Sequence, residues 1–296
     1  MTDKKIAFTC GWGQSSQELY DKYKLLAPGR SGRWKGLVGV SDISDADIVF
    51  MFDGMWDIYN VELIEKLKTK KLFAIRTEPP CIHTHPIIIP IALLDKVTVV
   101  DYTTQPIWFF SKWWEMSKSY SYEDFLNMPY EKKAGKISCL VSDKAYSSGH
   151  RNRLSFVKKI VKTDPKLLTI YGRNSISTNN GALPHGEKHL AFKGFEHSLC
   201  FENCSIPNYM SEALAESILM WSMPIYFGAT NAAEYLPPDS FYALSGDFNE
   251  DDIEIVKNVY HRPPSEKNIK ALGEARQLLL EKYSLWSSLQ YVLKNY

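Results

Sequence analysis

Phe201-Glu202-Asn203-Cys204-Ser205-Ile206-Pro207-Asn208-Tyr209-Met210-Ser211-Glu212-Ala213 leads through residues 214–222 into Met223-Pro224-Ile225-Tyr226-Phe227-Gly228. An apolar run, Leu199-Cys200-Phe201, meets a charged acceptor and an amide at Glu202 and Asn203, as a short buried strand meets a loop. Met210, Leu214, Ile218 and Trp221 then recur at helical spacing. Ser211 suits the N-cap of that helix, and Glu212 falls in its first turn, where a carboxylate is favoured. Ile225-Tyr226-Phe227 reads as the next strand and Gly228 as its tight exit. Polar groups therefore collect where a strand hands over to a helix, the edge at which open α/β sheets bind ligands. The unpaired N–H groups of a helix start also suit a phosphate. An ordinary βαβ unit with a capped helix fits the same residues.

The flanking sequence alternates in the same way. Lys5–Cys10, Asp47–Phe52, Leu72–Ile75 and Val97–Val100 read as strands, and Val61–Lys68 as a helix with Leu63, Ile64 and Leu67 on one face. Asn127–Gly135, with Pro129 and several charges, reads as a linker. Alternation restarts with strand Ile137–Val141, helix Arg151–Val161, strand Leu168–Tyr171 and loop Gly172–Gly186. Asn268–Leu293 reads as helix with an interruption near Ser284. This pattern predicts an α/β protein with mostly parallel sheets covered on both faces. A length of 296 residues suits two domains, placed at 1–130 and 136–296, and leaves open that the last helix packs back on the first.

Composition narrows the function. Lys and Arg number 35 against 34 Asp and Glu, without the excess of base that a nucleic-acid binder carries, so no nucleic-acid partner is expected. The 5 cysteines leave at least one unpaired, and the Cys200/Cys204 pair lacks a second pair at zinc-finger spacing. Free buried thiols in a reducing compartment are expected. Met1–Lys5 runs straight into a strand with no secretory signal, and the apolar run Ile87–Leu94 is too short to span a bilayer. A soluble cytoplasmic protein without a transmembrane segment is the expectation. No G-x-G-x-x-G follows the first strand, which disfavours a nicotinamide-dependent oxidoreductase.

Phe201-Glu202-Asn203, Tyr209-Met210-Ser211-Glu212-Ala213, Met223–Gly228 and Leu236-Pro237-Pro238-Asp239-Ser240-Phe241 together resemble, in order and spacing, the donor-binding signature of the family 10 glycosyltransferases. These are the α-1,3/4-fucosyltransferases, and the chain looks like their soluble bacterial or viral members. The resemblance implies a GT-B arrangement, two Rossmann-like domains facing a central cleft, with the acceptor glycan on the N-terminal half and the nucleotide sugar on the C-terminal half. It further implies inverting transfer of a sugar, L-fucose from GDP-fucose, to a glycan hydroxyl, with no cofactor required and no metal expected for the chemistry. In one respect the chain departs from the family: the lysine that follows the signature glutamate, which helps hold the donor diphosphate, is Ala213. Alternatives are therefore transfer of another sugar, such as xylose from a UDP donor, and a non-catalytic glycan- or nucleotide-binding protein.

The resemblance carries roles residue by residue. Arg153, in register through Phe156, Val157 and Ile160, matches the family arginine that contacts the donor phosphates, and a guanidinium suits a diphosphate. Arg151 is the first candidate to replace the missing lysine, and Lys144 the next. Ser211 and the helix start would share the diphosphate, while Glu202, Asn203, Tyr209 and Glu212 would contact sugar, ribose or base. Tyr171-Gly172-Arg173 resembles a family strand end on the donor side, where Gly172 permits close backbone approach. Glu78, in Arg76-Thr77-Glu78-Pro79-Pro80, matches the segment whose glutamate is the family's base. Pro79 keeps Glu78 extended, and direct displacement needs one base to take the acceptor proton. A structural partner of Arg76 is the other reading of Glu78. Asp45-Ala46-Asp47 is a D-x-D sequence, but it precedes its strand, so its carboxylates face the wrong edge of a parallel sheet for a metal–phosphate site. His83 and His85, downstream of Glu78, could help position an acceptor.

Overall fold

The computed structural model describes residues 3–79, 81, 87–100, 120–178, 180–184 and 187–296. Two compact units are present: residues 1–124 with 283–296, and residues 125–282. The division falls six residues before the boundary drawn from the sequence, and the chain's last stretch returns to the first unit.

In the first unit, β1 (Lys4–Cys10), β2 (Arg33–Trp34), β3 (Leu37–Gly39), β4 (Ile48–Phe52), β5 (Lys71–Ile75) and β6 (Val97–Val100) form a sheet of order β2-β3-β1-β4-β5-β6. All pairings are parallel except the β2–β3 hairpin. Every residue of β4 is buried, as a strand covered on both faces requires. Its alternate side chains go to different cores. Val49 and Met51 join Ala7, Leu72 and Ala74, against which Leu63, Ile64 and Leu67 of α2 (Val61–Leu67) pack. Phe50 stacks on Phe73, and Phe8 stacks on Phe52. Phe8 also meets Tyr23, at the end of α1 (Ser16–Tyr23), edge to face with centroids 5.0 Å apart. Trp286 of the C-terminal helix donates its indole N–H to the Tyr23 carbonyl at 3.0 Å, which holds that helix on this unit.

The division between the units falls within α3 (Tyr122–Asn127), and the second unit continues with β7 (Gly135–Leu140), α4 (Ser148–Thr163), β8 (Thr169–Tyr171), α5 (Leu190–Lys193), β9 (Phe195–Phe201), α6 (Glu212–Leu219), β10 (Met223–Phe227), β11 (Tyr242–Ala243), α7 (Glu250–His261) and α8 (Glu266–Glu281). The sheet order is β11-β10-β9-β7-β8, parallel throughout. Its core joins Ile137, Cys139, Leu199 and Ile225 to Phe156, Val157 and Ile160 of α4 and Ile253 and Val256 of α7. From β7 the chain crosses by α4 to β8 on one side, then returns past β7 to β9 on the other. The order thus reverses between β7 and β9, and the carboxyl ends of those two strands flank the switch point at which doubly wound sheets bind ligands. The interruption near Ser284 is real: Ser284 caps α9 (Leu285–Asn295), directly after α8. No helix among the described residues is long and apolar enough to cross a membrane.

Candidate functional site

The signature segment folds as strand, loop, helix and strand, but α6 is shorter than the apolar spacing predicts: Met210 precedes it and Trp221, at φ 58°, follows it. Its polar groups lie at the switch point. β9 and β10 pair in register up to Phe201 and Phe227. Glu202 extends the ladder one step, donating its N–H to the Phe227 carbonyl at 2.8 Å. Asn203 follows it out of the sheet. The loop to α6 is fixed by a side-chain knot: Asn208, at φ 67°, exchanges two bonds of 2.8 Å with Asn231 and accepts the Tyr235 hydroxyl at 2.7 Å. Tyr209, a predicted donor contact, is buried within this turn.

Arg153 reaches the edge from α4. Its guanidinium donates to the Asn203 side-chain oxygen at 3.3 Å and to the Ser142 hydroxyl at 3.4 Å, so it spans the carboxyl ends of β9 and β7. Its Nε is buried with no hydrogen-bond partner, and among the described residues it forms no ion pair. Burial lowers its pKa from the usual arginine value. The helix is pressed against the strand end here: a Cβ on Gly149 would lie 1.9 Å from the Asn203 carbonyl oxygen. Ser147 caps α4 by accepting the His150 N–H.

Glu202 is 2 % exposed. Its Oε1 accepts the Ser211 N–H at 2.7 Å and the Tyr226 hydroxyl at 3.3 Å, while Oε2 is buried without a hydrogen-bond partner. Burial pushes its pKa up to about 8; the Ser211 donors pull it down, and the Glu212 carboxylate nearby pushes it further up. Tyr226 is locked in turn, accepting the Ala229 N–H at 3.0 Å. Gly228 makes room for both groups, since a Cβ there would sit 2.1 Å from the Tyr226 oxygen.

Ser211 caps α6 through the Ala213 N–H at 3.3 Å. Glu212 opens the helix. A cation, Lys188 from the segment before α5, is brought to it. The Lys188 ammonium lies 3.2 Å from Glu212 Oε1 and 2.7 Å from Glu216 Oε2. Arg151 is exposed and donates to the Ala145 carbonyl at 3.0 Å. The Tyr171 ring packs edge-on to Phe195, with centroids 6.0 Å apart. The fold itself requires glycine at Gly172: it has φ 112°, and a Cβ there would meet the Val141 carbonyl oxygen at 2.1 Å.

Glu78 belongs to the first unit, where it lies half-buried three residues past β5. Its neighbour Thr77 is clamped by Asp53, at the carboxyl end of β4. The Thr77 N–H donates to Asp53 Oδ1 at 2.6 Å, and its hydroxyl donates to Oδ2. Asp53 holds this position with φ 52° and is buried. Asp47 accepts the Lys5 N–H at 2.8 Å, at the amino edge of the parallel strands. His83 and His85 lie outside the described residues.

Comparison with known proteins agrees with this geometry. Residues 130–256 match the glycosyltransferase family 10 (fucosyltransferase) C-terminal model. An α-(1,4)-fucosyltransferase of Arabidopsis thaliana is 32% identical over 73 residues, which make up 25% of this chain and 18% of that protein. The chain thus matches less than a fifth of this relative's length. The crystal structure of the DNA-modifying enzyme β-glucosyltransferase aligns with a TM-score of 0.54 at 11% identity, over 97% of this chain and 98% of that one. That of an α1,3-fucosyltransferase aligns at 0.49 with 15% identity, over 96% and 92%. The β-glucosyltransferase match shows the GT-B fold, and residues 130–256 are similar to the glycosyltransferase family 10 C-terminal domain.

Proposed function

We propose that this chain is an inverting glycosyltransferase that moves L-fucose from GDP-fucose to a hydroxyl of a glycan acceptor. The observation that carries the reading is Arg153: a half-buried guanidinium at the β7/β9 switch point, bonded only to neutral groups, with Nε unsatisfied. A cation is costly to desolvate without a counter-charge, and a diphosphate supplies one in the geometry guanidinium favours. The family match and the fucosyltransferase relative support a fucosyl donor.

In this reading Arg153 and the N–H groups at the head of α6 hold the diphosphate, and Glu202, Asn203 and Glu212 meet the hydroxyls and N–H groups of sugar, ribose or base. The acceptor oxygen forms its bond to the anomeric carbon as the bond to the diphosphate breaks. Glu78 takes the acceptor proton, and the electron pair leaves with GDP. Asp53 would orient Glu78 through Thr77. Cys10, Cys139 and Cys200 are buried thiols outside any disulfide, in keeping with a reaction in the cytoplasm.

Calorimetric titration with GDP, GDP-fucose, UDP and UDP-xylose, with and without EDTA, tests the donor. Selective, EDTA-insensitive binding of the guanine nucleotides is expected. Selective UDP binding would transfer the scaffold to another sugar, and no binding of any of them would refute a transferase. Glu78→Gln should lower kcat by about 10²- to 10⁴-fold with donor affinity unchanged, and full activity in that variant removes Glu78 as base.

A further inference from the structure

The head of α6 gathers two carboxylates, Glu212 and Glu216, around one ammonium, that of Lys188. Glu216 is fully buried, and Lys188 is its ion-pair partner at 2.7 Å. The Lys188 side chain is 12% exposed and that of Glu212 26%. The lysine therefore runs inward from the segment before α5 and stops between a carboxylate in the core and one at the rim. Glu202 stands beside them with a buried, unsatisfied Oε2.

As a stabilising device this arrangement is poor. Two charges drawn out of water recover little more than their desolvation cost, and apolar side chains of similar volume commonly do as well or better. What the pair does supply is a fixed point of charge. Glu216 cannot move, since it lies in a helix packed against β9 and β10. Lys188 is tied to it, and Glu212 is held by the same ammonium at 3.2 Å. A first-turn glutamate on an exposed helix end would otherwise sample several rotamers and lose that freedom on binding.

We propose that Lys188 is a positioning residue for nucleotide-sugar binding: anchored on Glu216, it presets the Glu212 carboxylate at the head of α6 and supplies positive charge at the turn where Ala213 offers none. This inference rests on the reading of the α6 head as a donor site. Donor recognition would then depend on a residue 24 positions before Glu212 and on one that no donor touches.

The test removes the anchor without leaving a buried charge. Lys188→Met alone would strand Glu216, so Lys188→Met/Glu216→Met is compared with wild type, Lys188→Arg and Glu212→Gln. Melting temperature and calorimetric GDP-fucose affinity are measured for each. The double variant should melt at or above the wild-type temperature and bind GDP-fucose about tenfold or more weakly, the loss expected of about one charge-assisted bond. Lys188→Arg should bind within about threefold of wild type, since the ion pair survives. In transfer assays the double variant should raise KM for the donor while kcat at saturation changes less. If it binds GDP-fucose as tightly as wild type while Glu212→Gln binds weakly, Lys188 is merely structural and the inference falls while the donor site stands. If Glu212→Gln also binds normally, or if wild type binds no guanine nucleotide, the donor reading falls and takes the inference with it.

Discussion

Glu202→Gln should make the protein more resistant to unfolding at alkaline pH and scarcely change it at acid pH. The reason lies in one buried carboxyl. Burial raises the Glu202 pKa to about 8 from a usual value of 4.5, so the native state prefers the protonated acid. Its contribution to stability is fully present below pH 4.5, where both states bind the proton. It is lost progressively as pH rises toward 8, because the unfolded chain ionises first and is favoured by doing so. Each pH unit in that window weakens the fold by about 1.4 kcal/mol, or roughly 4 kcal/mol between pH 5 and pH 8. The amide of the variant does not titrate, and it leaves a carbonyl oxygen where Glu202 Oε1 accepts the Ser211 and Tyr226 donors. Amide hydrogen exchange of β9 reads the effect, because slow exchange there reports opening of this unit whatever the first unit does. The ratio of variant to wild-type protection at each pH cancels the intrinsic pH dependence of exchange. It should climb by about three powers of ten from pH 5 to pH 8. A ratio that stays flat would show that Glu202 ionises normally in the native protein, and would refute the account of its environment.

Arg153→Met should leave the melting temperature unchanged or raised, since it removes an ill-matched charge, while GDP affinity falls roughly 30- to 100-fold, as for the loss of a charged hydrogen bond; calorimetry and a thermal melt on the same sample decide both halves. His197, buried in β9, is held to a pKa of about 4 by desolvation. The fold therefore excludes a proton that the unfolded chain accepts below pH 6.5, and stability falls by roughly 3 kcal/mol as pH drops from 6.5 to 4; His197→Leu should flatten that acid limb in urea titrations. Gly149→Ala would drive a methyl group to within 1.9 Å of the Asn203 carbonyl. It should cost about 1–3 kcal/mol of stability and weaken GDP binding together with it, measured by melting and calorimetry.

How far the sequence reaches depends on the range of the interaction. β4 and β5 are legible because a strand covered on both faces must be apolar at nearly every position. The Ser211 cap and the Ser284 break are legible because a cap is a bond to a residue two or three places on. The helix Ser16–Tyr23 escapes detection because it buries only Leu19 and Tyr23, too few residues for a period to show. The hairpin β2–β3 has strands of 2 and 3 residues, shorter than any pattern window. Lys188 and Asp53 are invisible for a different reason. Each acts on a partner 24 residues away through a single side chain, and neither periodicity nor capping encodes such a pair. Gly172 is legible as a position that needs glycine, but the Val141 carbonyl just past β7, which a Cβ would meet, is not.

The switch-point edge holds an unsatisfied guanidinium nitrogen on Arg153 and an unsatisfied carboxyl oxygen on Glu202. A fold shaped for stability alone would pair groups of opposite character in one unit. Here the backbone keeps them apart. Arg153 is bonded to Asn203, the residue directly after Glu202. Glu202 is turned instead toward Tyr226 and the head of α6. Buried polar groups in native proteins nearly always have partners. A nucleotide sugar offers what each lacks: anionic oxygens for the guanidinium, and hydroxyl or N–H donors for the carboxyl. On that account ligand binding should satisfy both atoms at once. GDP-fucose should then protect β9 from exchange more than inorganic pyrophosphate does at equal occupancy, because pyrophosphate can reach only the first.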